Sequence, residues 1–145
     1  MAYVTVMNEQ QHVQQIVAGR HYVTADATAS TGGSDAGLAP RELLLASLGA
    51  CTAIALRRHA LRKDWELGTI TIGLRWSRTA DAKEDHIDRR LTFSEPLTKE
   101  QKKYLLDVAR QTLITTLLLP GIVIRSSVVE QENSPVNPEM TVASY

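Results

Sequence analysis

The chain has 145 residues, sixteen basic against sixteen acidic, and one cysteine. That length suits a single domain with a real core. Balanced charge gives no field to draw in nucleic acid or an anionic membrane, and one cysteine excludes an internal disulfide. The opening MAYVTVMNEQQ has no signal-peptide character and no run approaches a membrane span, so a cytoplasmic protein is expected.

Residues 3–7 and 12–18 are short runs rich in Val, Ile and Tyr, parted by polar residues 8–11 and followed by Gly19-Arg20. They predict a hairpin continuing into a third strand at residues 21–25. Residues 26–39, with Gly32, Gly33, Ser34, Asp35 and Gly37, predict a loop ahead of a helix. Pro40 suits the first helical turn, and Glu42 places negative charge where the helix dipole favours it. The helix should run to about Lys63. Leu44, Leu48, Cys51 and Ala55 share one face, yet Leu43, Leu45, Ala46, Ala50, Ala53, Ile54 and Leu56 fill the others. Such a helix must be covered on nearly every side. A sheet alone cannot do that, and an isologous homodimer would bury the far side.

Residues 65–79 alternate, with Ile70, Ile72, Leu74 and Trp76 on one face. After a charged turn at 80–85, a second alternation sets Ile87, Leu91 and Phe93 against His86, Asp88, Arg90 and Thr92, which predicts an antiparallel ribbon. Thr98 to Gln101 has the form of a capping box. The helix it opens carries Tyr104, Leu105, Val108, Ala109 and Thr112 inside and should end before Pro120-Gly121. Residues 122–129 read as a last strand and 131–145 as a tail or arm. The expected whole is one α+β domain over residues 1–130, its helices packed on one side of antiparallel sheet.

Cys51 carries two readings. A free cysteine is commonly just a small buried apolar residue. As a nucleophile it needs help, because an unassisted thiol has a pKa near ~8.5 and apolar burial raises it. The helix dipole fades within the first turn, well before Cys51. Arg58 and His59 stand about 10 Å further along the axis. Arg20, at the hairpin tip, could reach the helix from another element or from a partner chain; each of these cations also has a plain reading as solvated surface. Glu42 lies on the opposite helical face from Cys51, so it could orient an arginine only if the helix start bends or the site spans two subunits; charge complementarity with the helix terminus accounts for it equally well. The glycine-rich loop lacks nucleotide-binding spacing and a P-loop lysine. His12, His21, His59 and His86 occur at no metal-ligand spacing, so neither metal nor cofactor is implied. No Gly-x-Ser-x-Gly elbow is present.

The stretch from Gly32-Gly33 through Pro40-Arg41-Glu42-Leu43-Leu44 to Gly49-Ala50-Cys51-Thr52 closely resembles the signature of the OsmC/Ohr family. The similarity continues through Arg62-Lys63-Asp64-Trp65-Glu66-Leu67, His86-Ile87-Asp88-Arg89 and Pro96 to Gln101, covering roughly residues 20–129 in the expected order. The resemblance implies an OsmC-like fold, antiparallel sheets with a long central helix in an intertwined homodimer. It also implies thiol-dependent reduction of hydroperoxides, preferably organic ones, at a site shared by both subunits. In active members a first cysteine attacks the peroxide and a second, on the later helix, resolves the sulfenic acid. Cys51 matches the first. Thr112 stands where the second would be, and its hydroxyl cannot form a disulfide. The family's activating arginine comes from an N-terminal hairpin, where Arg20 is the nearest match. In the hydroperoxide-resistance branch the orienting glutamate lies ten residues before the cysteine, where this chain has Arg41; Glu42 matches a second branch.

The leading expectation is therefore a one-cysteine hydroperoxide reductase or peroxide-responsive protein. Cys51 is the nucleophile, Arg20 the thiolate stabiliser and Glu42 its orienter, with an external thiol as reductant. The rival reading is a non-catalytic dimer that binds a small apolar ligand between its central helices. A structural stress protein without a site is the third.

Overall fold

The computed structural model describes residues 2–78 and 85–120. The expected turn at 80–84, the last strand at 122–129 and the tail at 131–145 lie outside the described residues. The architecture is mixed α+β, with antiparallel sheets and one long helix, and it divides into two compact units near Leu43 and Leu44.

The first unit holds the predicted hairpin and third strand. Strands β1 (Thr5–Gln10), β2 (Val13–Ala18) and β3 (His21–Ala25) form an antiparallel sheet in that order. The first turn is tied by the Asn8 side-chain amide, which donates to the carbonyls of Gln11 and Val13 at 3.0 and 2.9 Å. A parallel bridge between Ala25 and Leu38 then closes the glycine-rich loop.

Helix α1 (Pro40–Arg62) starts in the first unit and continues into the second. It stops in a Schellman turn: Asp64 takes a left-handed φ of 51°, and the Trp65 N–H bonds the Ala60 carbonyl at 2.9 Å. That turn delays the next strand. Strand β4 (Ile70–Arg78) starts five residues after the expected Trp65 and pairs with β5 (Asp85–Phe93). Ile70 faces Phe93, Ile72 faces Leu91, Leu74 faces Arg89 and Trp76 faces Ile87.

Thr98 and Gln101 form the predicted capping box at the head of α2 (Lys99–Arg110). The single helix expected as far as Pro120 is instead two. Thr112 adopts extended backbone, φ −69° and ψ 152°, and caps a separate α3 (Leu113–Leu118). The physical reason is local competition: the Thr112 and Thr115 hydroxyls both bond the Ala109 carbonyl, at 3.4 and 3.3 Å, offering the backbone an alternative to helix.

The core of the second unit is Leu56, Ala60, Leu67, Leu105 and Ala109, bordered by Trp65, Ile70, Ile72, Leu91, Phe93 and Tyr104. Gly49 lets α1 sit close to the ribbon, since a Cβ there would lie 3.1 Å from Leu74. On α1, Leu48, Thr52, Leu56 and Ala60 are buried, while Ile54 and Leu61 are 58% and 70% exposed. The described residues of a single chain thus cover one face of the helix, not all of them.

Candidate functional site

Cys51 is half-buried on α1, one turn after buried Leu48 and next to buried Thr52. The second unit places it. The first unit places Arg20 and Glu42, each by its own element. Arg20 is exposed in the β2–β3 turn, beside Gly19 at a φ of 59°. Glu42 is exposed in the first turn of α1, where its carboxylate accepts the Ala39 N–H at 2.8 Å. That bond satisfies a donor that the helix start would otherwise leave free. Among the described residues no ion pair joins Glu42 to Arg20.

Three basic side chains of the second unit are engaged elsewhere. Arg57 donates to the Gly68 carbonyl, and His59 Nδ1 shares a 2.8 Å hydrogen bond with the Tyr104 hydroxyl. Lys63 lies over the Trp65 and Tyr104 rings. Arg58 is exposed.

The polar cluster nearest in sequence to Cys51 begins at Thr52. Its hydroxyl bonds the Leu48 carbonyl at 2.7 Å and accepts from Arg89 Nη1 at 3.0 Å. The same Nη1 donates to Thr115 Oγ1 at 2.9 Å, and Thr115 is joined to Thr112 at 2.7 Å. Thr112 is 5% exposed, so the position matched to a second cysteine is a buried hydroxyl in an arginine-centred network. Burial, and secondarily the charge of Arg110, pushes the Arg89 pKa down from its ordinary value. The guanidinium nonetheless stays charged at any physiological pH. The sequence reading missed this residue, although the signal was present. Arg89 sits at the inward parity of β5, between Ile87 and Leu91, where an alternating strand keeps its apolar side chains.

Asp26 was missed too, inside a loop read only as flexible. It is 2% exposed. Its Oδ1 accepts the Ala27 N–H at 2.7 Å, and its Oδ2 accepts the Ser34 hydroxyl and the Ser34 and Ala36 N–H groups at 2.6, 3.0 and 3.1 Å. These bonds, the Ser34 hydroxyl foremost, hold its pKa down to about 2. Gly33 and Gly37 are required by the same loop, since a Cβ would run into the Ala27 carbonyl in one case and the Thr24 carbonyl in the other. The N–H groups of the glycine-rich motif therefore serve an internal carboxylate.

A family model described as OsmC-like protein matches residues 32–127, which span Gly32 to Gly37 of the glycine-rich loop, Cys51, the ribbon and the Thr112 seat. The chain belongs to the OsmC-like family. Its fold is similar to that of an osmotic stress induced and detoxification response protein from Psychrobacter arcticus, with TM-score 0.73 and 17% identity over 83% of this chain and 90% of that one. An organic hydroperoxide resistance protein OsmC from Legionella pneumophila gives TM-score 0.62 and 14% identity over 82% and 89%. The organic hydroperoxide resistance protein OhrB of Bacillus subtilis gives TM-score 0.56 and 19% identity over 82% and 90%. At such identities the likeness is one of fold. No curated protein matches the chain by sequence. Among the described residues of this OsmC-like chain, no helix is long and apolar enough to cross a membrane.

Proposed function

We propose that this OsmC-like protein is a one-cysteine reductase of organic hydroperoxides serving a stress response. The observation that carries the reading is the half-buried position of Cys51, the chain's single thiol, on the long helix within the family match. The Cys51 thiolate attacks the peroxide, the O–O bond breaks, and ROH leaves after taking a proton. Sulfur, oxidised by two electrons, remains as Cys–SOH. Thr112 cannot resolve it. An external thiol R′SH condenses with the sulfenic acid to give Cys–S–S–R′ and water, and a second R′SH releases the Cys51 thiol and R′SSR′. Arg20 stabilises the thiolate and Glu42 orients Arg20 in this scheme, and the site is completed in a homodimer.

The test is exposure of the reduced protein to cumene hydroperoxide with a sulfenic-acid trap, followed by mass spectrometry. Modification should map to Cys51, turnover should need added thiol, and Cys51→Ser should abolish it. Arg20→Ala should slow trapping by about tenfold or more, the usual scale for loss of one charge-stabilising group. Unmodified Cys51 after prolonged exposure would sink the enzyme reading and leave that of a ligand-binding dimer.

A further inference from the structure

Among the described residues Arg89 is a charged group without a carboxylate partner. A half-buried guanidinium is normally paired with a carboxylate, because the desolvation cost is otherwise uncompensated. Among the described residues no carboxylate forms an ion pair with Arg89; Asp88, next to it in the strand, pairs with His86 at 3.7 Å. Two threonine hydroxyls, of Thr52 and Thr115, stand in its place. They engage only Nη1, whose two hydrogens are spent on Thr52 and Thr115. The Nε–H and the Nη2 group have no partner among the described residues. Together they form the edge of a guanidinium that grips a carboxylate through two parallel hydrogen bonds.

The same arginine lines a half-open cavity of about 640 Å³, a size typical of small-molecule sites. Leu44, Leu48, Trp76, Ile87, Leu118 and Leu119 supply apolar walls, and Thr115 joins Arg89 as the polar end. Asp85 and His86 line it too, both exposed. With Arg89 as its guanidinium and the exposed Asp85 as the one carboxylate among the lining residues, the site suits a ligand with no more than one negative charge and an apolar body. A dianion would carry a second charge with nothing to balance it, and a neutral alkane would leave the Arg89 edge unsatisfied.

We propose that this cavity binds a monoanionic amphiphile, an alkyl monocarboxylate whose head group takes the Nε–Nη2 edge of Arg89 while its chain lies along Leu44, Leu48, Trp76 and Leu118. The bound carboxylate supplies the ion pair that the described residues do not give Arg89. The threonine network holds the guanidinium plane so that little side-chain freedom is lost on binding. Cys51 is not among the residues that line the site.

Isothermal titration of the full chain with decanoate, decanol and acetate tests it. Decanoate should bind at least about tenfold tighter than either of the others, the scale of a charged hydrogen-bonded pair added to an apolar contact. Arg89→Gln should bring decanoate down to the level of decanol, and Arg89→Lys should recover only part of the difference. Should Arg89→Gln not fold, Leu118→Glu decides: this exposed position should keep its melting temperature, and the new charge should weaken decanoate about fivefold or more beyond whatever decanol loses with the apolar wall. Cys51→Ser should bind decanoate like the parent, so failure of the peroxidase reading leaves this one standing. Equal affinities for decanoate and decanol, no measurable decanoate binding, or indifference to the Arg89 and Leu118 substitutions would overturn it.

Discussion

Buried carboxylates persist where N–H and O–H groups surround them, and Asp26 meets three backbone N–H groups and the Ser34 hydroxyl. Its folded pKa of about 2 lies below the unfolded value of 3.8. Its contribution to stability is therefore complete above pH 3.8 and is lost as pH falls through the folded value. Melting curves by circular dichroism should show a fall in melting temperature between about pH 4 and pH 2. Asp26→Asn should melt lower than the parent at neutral pH and lose less over that acid window; an unchanged acid slope would contradict the assignment. Of the residues singled out from sequence, Cys51 was visible because it is unique and the motif frames it. Asp26 and Arg89 were not. A loop acceptor is indistinguishable from solvated polar sequence until the chain folds around it, and Arg89 was passed over when the alternation was read, although its strand parity places it with Ile87 and Leu91.

The elements that were legible are those whose signals are local. The Thr98–Gln101 capping box needs only residues within one helical turn, and it formed as read. Thr98→Ala removes the hydroxyl that accepts the Gln101 N–H and should cost about 1 kcal/mol, a drop of roughly 3 °C in melting temperature. A shift below a degree would mean that tertiary packing alone holds the start of α2. The signals that misled are those settled by non-local bonds. Trp65 reads as strand, yet the turn at Asp64 hands its N–H to Ala60 and its ring to Tyr104, with ring centroids 5.4 Å apart. The run from Thr98 to Leu119 has no helix breaker, so the break at Thr112 follows from the hydroxyls that bond Ala109 and Arg89, which pattern alone does not reveal.

For the molecule as a whole, the sequence leads one to expect α1 to be covered on nearly every side, whereas the described residues of a single chain cover one face of it. Ile54 and Leu61 stay open, and on the first sheet Val6 and Tyr22 are 57% and 62% exposed. Exposed apolar side chains on this scale favour a second copy of the chain, with the roughly 1,200–2,000 Å² of buried surface that a stable dimer takes. Light scattering coupled to size exclusion should give a dimer mass, and Leu61→Asp or Ile54→Asp should weaken association about tenfold or more at unchanged helical content. A monomeric parent protein would refute this. Folding of the chain must also select one register for the β4–β5 ribbon, and here Arg89 has a role unrelated to any ligand. Because strand side chains alternate, a slip of one residue would turn Ile87, Arg89, Leu91 and Phe93 outward and bring Asp88 and Arg90 in together, where no threonine cluster waits for them. Thr52 and Thr115 accept a guanidinium at one rung only. A misthreaded hairpin is thus penalised twice, by the hydrocarbon it exposes and by the charges it strands, so the inward arginine proofreads the alignment of its own sheet.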